Sequence, residues 1–467
     1  MKKEENFSEW YNDIIERADL CDKRYPVKGM NVWRPYGWRA MQLIDSLIRR
    51  EMDATGHQEV CFPLLIPKTE FDKEAEHIKG FNQEVYWVTH AGDNELDVPL
   101  LLRPTSETAM YPMFSLWVRS HSDLPLKVYQ IVNTFRYETK QTRAFIRMRE
   151  IHFFEAHTCH TDFEDAERQI KEDLEIMERI AKDLCLPYIA TRRPDWDKFA
   201  GAYYSIGIDT LMPTGRTLQI GSIHQYRTNF AEAYDIKYET PEGEHRHVHQ
   251  TTYGMSERLL GAIVGVHGDD KGLILPPAVA PIQVVVVPIF KKESRETVEK
   301  EAEKVAEELM EGGLRAHLDM RDFRPGYKFN DWEMRGVPLR VEIGQRDIEE
   351  GQVVLARRDT MEKTSVSRGD MVEKARQLLE EIAENLRSVA ENYMCGKIKT
   401  IRDISEYEEG TIGRIPWCGS PDCGHEIEDA LDVSTLGTPV EEEDVGGERC
   451  PVCGGEAKTW LYIAKTH

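Results

Sequence analysis

Arg136 and Glu138 lie two apart in the run Asn133-Thr-Phe-Arg-Tyr-Glu138, and a charged loop leads on to Phe145-Ile-Arg-Met-Arg-Glu150. Residues two apart on a strand share a face, so the arginine and the glutamate are expected side by side. A forked guanidinium suits a phosphate or a carboxylate, and a glutamate accepts from an amine. Strand surfaces also carry such pairs as plain ion pairs, so Arg-x-Glu alone leaves both readings open. From Arg119 to Arg149 there are seven Lys or Arg against two acidic residues, in a chain of formal charge −23. That basic island reads either as a local anion site or as a solvated charged face.

Cysteine spacing points to a second chemistry. Cys418 and Cys423 form one close pair, and 26 residues further on comes Cys450-Pro-Val-Cys453-Gly-Gly. The start, MKKEENFSEWYNDIIERADL, has no apolar core segment, so export and a disulfide framework are not expected. Small residues after a cysteine let backbone amides approach thiolates, and four thiolates close a tetrahedral shell around a structural zinc ion. His425 competes for a ligand place. From Cys395 onward there are seven basic residues against fifteen acidic, which argues against a nucleic-acid-binding ribbon. His245, His247 and His249 alternate as metal ligands could, or form a solvated turn.

The elements that must position these residues follow from periodicity. At 467 residues, with 40% hydrophobic and 31% charged composition, two to four soluble domains are expected. No run approaches the roughly 18–20 apolar residues of a membrane helix. Apolar spacing predicts helices over 33–52 and 163–185. Strands are expected at 59–67, 127–137, 149–158, 203–210, 216–223 and 284–290, with Pro63 marking the first as an edge or bulge. A boundary falls near 276–282, where PPAVAPI joins two regions of different pattern. Beyond it strands and helices alternate, with helices at 293–312 and about 367–390, as in a small α/β domain.

Together these runs resemble the class II aminoacyl-tRNA synthetases. The 133–150 span resembles their motif 2, and residues 33–67 resemble motif 1, the dimer-forming element. Gly254-Met-Ser256-Glu-Arg258 resembles motif 3, although only one of its usual glycines is present. Within the class, Arg103-Pro-Thr105-Ser-Glu107, Lys198-Phe-Ala-Gly-Ala202 and VHGDDKGLILPP at 266–277 are similar to prolyl-tRNA synthetases. Residues 318–347 look like the anticodon-binding domain of that family.

The resemblance implies an α/β (α+β multidomain) architecture: a class II antiparallel-sheet catalytic domain at 1–281, an α/β anticodon-binding domain at 282–392 and a zinc-binding domain at 393–467. It implies that Arg136 bridges the proline carboxylate and the α-phosphate, while Thr105 and Glu107 take the proline ammonium. Glu138 would bind adenine, Arg147 would lie near ATP, and Ser256 and Arg258 would grip the triphosphate. Gln219, Ser222 and His224 match a strand contributing to nucleotide and proline contacts. Glu155 and His157 continue into the amino-acid pocket, with Phe153 or Phe154 packing there or in the core. Glu333 and Arg340 match suggested anticodon positions, and Cys418, Cys423, Cys450 and Cys453 match the family's zinc ligands.

The expected reaction is ATP-dependent formation of prolyl-adenylate with release of pyrophosphate, then transfer of prolyl to tRNA(Pro). ATP with Mg2+, structural zinc, a homodimer and a cytoplasmic setting follow from the same resemblance. Only about 100 residues separate Glu155 from Ser256, which excludes an editing insertion of usual size. The layout resembles the archaeal and eukaryotic form. Its members often end in a tyrosine near the catalytic site; this chain ends in His467, so no role is assigned to the terminus.

Overall fold

In the computed structural model, residues 2–73, 81 and 83–467 are described. Helix α1 (Pro35–Ala54) is followed by α2 (Glu107–Trp117) and by two long antiparallel strands, β1 (Leu126–Phe135) and β2 (Glu150–His160). Then come α3 (Phe163–Asp183), β3 (Ile189–Arg192), β4 (Tyr204–Leu211), β5 (Thr217–Arg227), β6 (His249–Ser256) and α4 (Arg258–His267). The strands pair antiparallel in the order β3-β4-β5-β6-β2-β1.

Helix α3 starts where Asp162 caps the Asp165 N–H at 2.8 Å, and it buries Ile170, Ile176, Met177 and Ile180. Each such side chain contributes roughly 1.5–3 kcal/mol when fully buried. Helix α4 is apolar nearly all round and lies within the core. A Cβ at Gly261 would meet Phe145 O at 2.6 Å, so only glycine lets the β1–β2 loop lie against α4.

The second unit is a mixed sheet in the order β8 (Ala316–Leu318), β7 (Val284–Ile289), β9 (Leu339–Gly344), β10 (Gln352–Arg357), β11 (Lys363–Ser367). Helices α5 (Arg295–Glu311) and α7 (Met371–Lys397) share its apolar core, and α6 (Pro325–Met334) packs on β7. The third unit pairs β12 (Ile412–Trp417) and β13 (Ser434–Pro439) with β14 (Thr459–Ala464), and holds α8 (Pro421–Leu431). Strand β13 also pairs with β3 through Thr438 and Arg192. The six-stranded sheet therefore runs on into the third unit without a break.

Three expectations need correction. The strand expected over 59–67 is two short pieces, Gln58–Glu59 and Leu65–Pro67, because Pro63 offers no ladder donor. Strand β1 ends at Phe135, so Arg136 and Glu138 do not share a strand face; the Glu138 N–H turns back onto Arg136 O at 2.7 Å. Helix α7 continues to Lys397 rather than ending near 390.

Candidate active site

A cleft of about 380 Å3 lies against β2, β4, β5 and β6, and all the residues matched to proline or ATP line it, from Thr105 to Arg258. Alternation brings Phe153, Glu155 and His157 of β2 to the cleft face and sends Phe154 into the core against Tyr253, ring centres 5.5 Å apart. On β5, simple alternation would put Gln219 and Ser222 on opposite faces. The register shifts opposite Ile208 and Asp209, so Ile220 is an extra residue and both side chains reach the cleft.

One end of the cleft is carboxylate-rich. Glu107 opens α2, where the helix terminus favours an anion. It accepts from Thr105 Oγ1 at 2.6 Å and Tyr226 Oη at 2.7 Å. Glu155 Oε1 contacts His157 Nε2 at 3.3 Å, and His157 Nδ1 meets Tyr111 Oη at 3.0 Å. Glu155 Oε2 is buried with no hydrogen-bond partner among the described residues. His224 contacts Ser205 Oγ at 2.7 Å and stacks on Phe199 at 4.7 Å. Burial pushes its pKa down to about 4, so it is neutral at pH 7.

The other end is cationic. Arg136 donates from Nε to Pro104 O at 3.0 Å and lies over the rings of Phe81 and Phe153. Burial, then the neighbouring Arg147, lowers the Arg258 guanidinium to about 10; it remains a cation. Its Nε and Nη1 donate to Ile146 O at 2.8 Å and Gln219 O at 3.1 Å, and its N–H reaches Ser256 Oγ at 3.3 Å. Arg147 pairs with Glu138 at 2.8 Å. Burial alone would raise the Glu138 carboxyl, but the Lys140 N–H and Arg147 outweigh it and hold it below its usual value.

Three further groups in or beside the cleft are given no role by the sequence. Glu257 is held near pKa 7, chiefly by burial. Arg193 reaches the wall from the end of β3. The C-terminal His467 accepts from Arg147 Nη2 through its backbone oxygen at 2.9 Å, and its N–H donates to Thr217 O at 3.0 Å. The terminus, to which the sequence assigned nothing, thus holds Arg147, a residue of this wall.

The remaining matched residues lie elsewhere. Arg340 joins Glu333 at 3.0 Å and Glu342 at 3.0 Å in a small pocket between β7, β9 and α6. The sulfurs of Cys418, Cys423, Cys450 and Cys453 lie within 4.8 Å of one another, the one such group among the described residues. A tetrahedral zinc with sulfurs at about 2.3 Å needs sulfur edges near about 3.8 Å, and Cys453 Sγ to Cys418 Sγ is 3.8 Å. Burial raises the thiol pKa of Cys418 and Cys423, whereas at Cys450 the Cys453 and Val452 N–H groups outweigh burial and lower it. The donor set fits zinc. His425 instead contacts Glu428 at 3.1 Å, and the three alternating histidines form no such group.

An antiparallel sheet whose cleft is lined by both carboxylates and arginines fits a class II aminoacyl-tRNA synthetase. Residues 86–267 match the tRNA synthetase class II core domain (G, H, P, S and T), and 283–378 match an anticodon binding domain. Residues 403–467 match the prolyl-tRNA synthetase C-terminal family. The proline–tRNA ligase of Thermococcus kodakarensis is 59% identical over 100% of this chain and 99% of its own. That of Methanosarcina mazei is 50% identical over 99% and 97%. A Giardia lamblia prolyl-tRNA synthetase solved with prolyl-adenylate superposes with TM-score 0.97 at 36% identity, covering 100% of this chain and 99% of that one. The chain belongs to the prolyl-tRNA synthetase family, ligases that join proline to tRNA.

Proposed function

We propose that the cleft residues divide the work of proline activation by charge. Adenylate formation brings a carboxylate and a phosphate together, and these anions repel. Arg136 bridges them and stabilises the charge that develops as the carboxylate attacks the α-phosphate. Glu107, oriented by Thr105 and Tyr226, takes the proline ammonium, with Glu155, His157 and His224 completing that end. Glu138 and Arg147 receive the adenine end of ATP. Ser256, Arg258, Gln219 and Ser222 hold the nucleotide and its triphosphate, which arrives with Mg2+ as part of the substrate. No side chain need act as a general base, since positioning and neutralisation suffice.

The observation that carries this reading is that Arg136 lines one cleft together with Glu107 and Arg258, its Nε fixed on Pro104 O at 3.0 Å. That shared cleft supports placing both halves of the adenylate beside it. The adenylate in the Giardia lamblia structure supports the same occupant here. Calorimetric titration with a non-hydrolysable prolyl-adenylate analogue should saturate at one site per chain. A seryl or threonyl analogue binding as tightly would overturn the assignment.

We assign domains to 1–281, 282–392 and 393–467, with Glu333 and Arg340 reading anticodon guanines and the four cysteines holding one structural zinc. Guanine edges offer donors and acceptors that a carboxylate and an arginine match. Exposed Leu64, Leu65, Leu116 and Trp117 supply an apolar surface for a second copy, so light scattering should give a dimer mass. No described helix is long and apolar enough to cross a membrane. The reading puts the enzyme in the cytoplasm, where paired thiols stay reduced for metal.

A further inference from the structure

Four residues of the short segment after β3, namely Arg193, Asp197, Lys198 and Phe199, line the cleft. Between them Trp196 faces the other way. Its ring lies 4.5 Å from that of His425 and 6.3 Å from that of Trp417, and both flank the cysteine quartet in sequence. A Cβ at Gly424 would meet the Trp196 ring at 2.7 Å, so the indole sits directly on the α8 backbone, next to Cys423. The segment is thus held by the third unit on one side and faces substrate on the other.

Arg193 ties the two sides together. Its Nη1 donates to Leu436 O of β13 at 2.6 Å. Its Nη2 donates to both Asp209 oxygens at 3.0 and 2.8 Å, and to Gln219 Oε1 at 3.4 Å. The guanidinium lies flat on Gly207, where a Cβ would come within 2.2 Å of Nη2. Thr191 Oγ1 donates to the same Leu436 carbonyl at 2.7 Å. At the far end, the Phe199 N–H donates to Ser205 Oγ at 2.9 Å, and Ser205 contacts His224. With its Oε1 engaged by Arg193, Gln219 keeps its amide NH2 for substrate.

We propose that residues 193–199 form a strap by which the C-terminal unit fixes the cleft wall, with Arg193 a positioning residue for Gln219 and Trp196 its anchor. The zinc-binding unit then does more than complete the fold, because its docking sets how well ATP and proline are held. The inference rests on the proline and ATP reading of the cleft.

The test uses the full chain and proline-dependent exchange of pyrophosphate into ATP. Trp196 touches no part of the cleft, so Trp196→Ala should act only through the strap. A misplacement of about 1 Å can cost about a hundredfold, so kcat/KM for ATP should fall about tenfold to a hundredfold, carried mainly by KM. Trp196→Phe, which keeps a flat ring on Gly424, should restore most of the loss. Arg193→Met combined with Asp209→Asn, which leaves no unpaired buried charge, should raise the ATP KM more than the proline KM. Adding Trp196→Ala to that pair should cost little more, since both act along one path. Thermal unfolding and metal content measured on every variant separate the effect from misfolding: the account expects Trp196→Ala to retain its zinc and a cooperative transition. Constants for Trp196→Ala equal to the parent's, or losses that multiply across the combined variant, would overturn the strap while leaving the cleft reading intact. A parent chain with no proline-dependent exchange would overturn the cleft reading, and the strap with it.

Discussion

Replacing Arg136 by methionine removes the guanidinium but keeps a long side chain to fill the space between the Phe81 and Phe153 rings, whose centres lie 5.3 and 5.9 Å from the guanidinium carbon. The Nε is held by Pro104 O at 3.0 Å, so the orientation of the fork is set before substrate arrives and no reorganisation is needed during the reaction. Loss of one such pre-organised donor costs about 3 kcal/mol of barrier or more, which is about a hundredfold or more in rate. Because the contact strengthens as charge develops, kcat and kcat/KM should fall together, with the proline KM changed little. Stability should move differently. Burial lowers the Arg136 pKa, meaning that the folded protein holds this cation at a cost; Arg136→Met should unfold at the same temperature as the parent or above it. The assay is proline-dependent pyrophosphate exchange beside a thermal melt. An exchange rate within about tenfold of the parent, in protein that melts normally, would refute the role.

Glu107→Gln replaces a carboxylate that accepts from Thr105 and Tyr226, so one donor will face an amide NH2 and the proline ammonium will lose its counter-charge. The proline KM should rise about tenfold to a hundredfold with the ATP KM nearly constant, and equal rises would misplace the amino-acid site. Glu257 has its folded pKa raised from 4.5 to about 7, so its penalty is small when both states are protonated and grows as pH rises through that window. Glu257→Gln should therefore stabilise the fold by about 3 kcal/mol near pH 8 but only about 1 kcal/mol near pH 5, and chemical denaturation showing a pH-independent gain would contradict this. Glu333→Gln should impair aminoacylation and relax discrimination against tRNA with altered anticodon guanines, while pyrophosphate exchange stays unchanged. Cys450→Ser should lower zinc content measured by elemental analysis and destabilise residues 393–467, since a small acidic domain relies on such an ion; undiminished zinc would count against the quartet.

What the sequence made legible was local. The α3 helix carries its own apolar stripe and its Asp162 cap, and the two cysteine pairs lie close enough in sequence to be read as one ligand set. Motif 2 could be found, yet the reason first offered for it fails: Arg136 and Glu138 meet their partners from a turn beyond β1, not from a strand face. Gln219 and Ser222 face the same cleft only because of the extra residue at Ile220, and a bulge leaves no trace in alternation. Arg193 and Leu436 are 243 positions apart, and Arg147 and His467 are 320 apart. The first follows from β3 and β13 joining in one sheet and the second from the Thr217–Thr466 bridge, neither of which a local pattern encodes.

The cleft is expected to activate proline in preference to glycine, serine or threonine. Amino-acid-dependent exchange of labelled pyrophosphate into ATP, run on the full chain with each amino acid in turn and with no tRNA, tests it most directly. The account predicts strong exchange with proline that disappears in Arg136→Met. Strong exchange with glycine, serine or threonine in place of proline, or none with any amino acid, would contradict it.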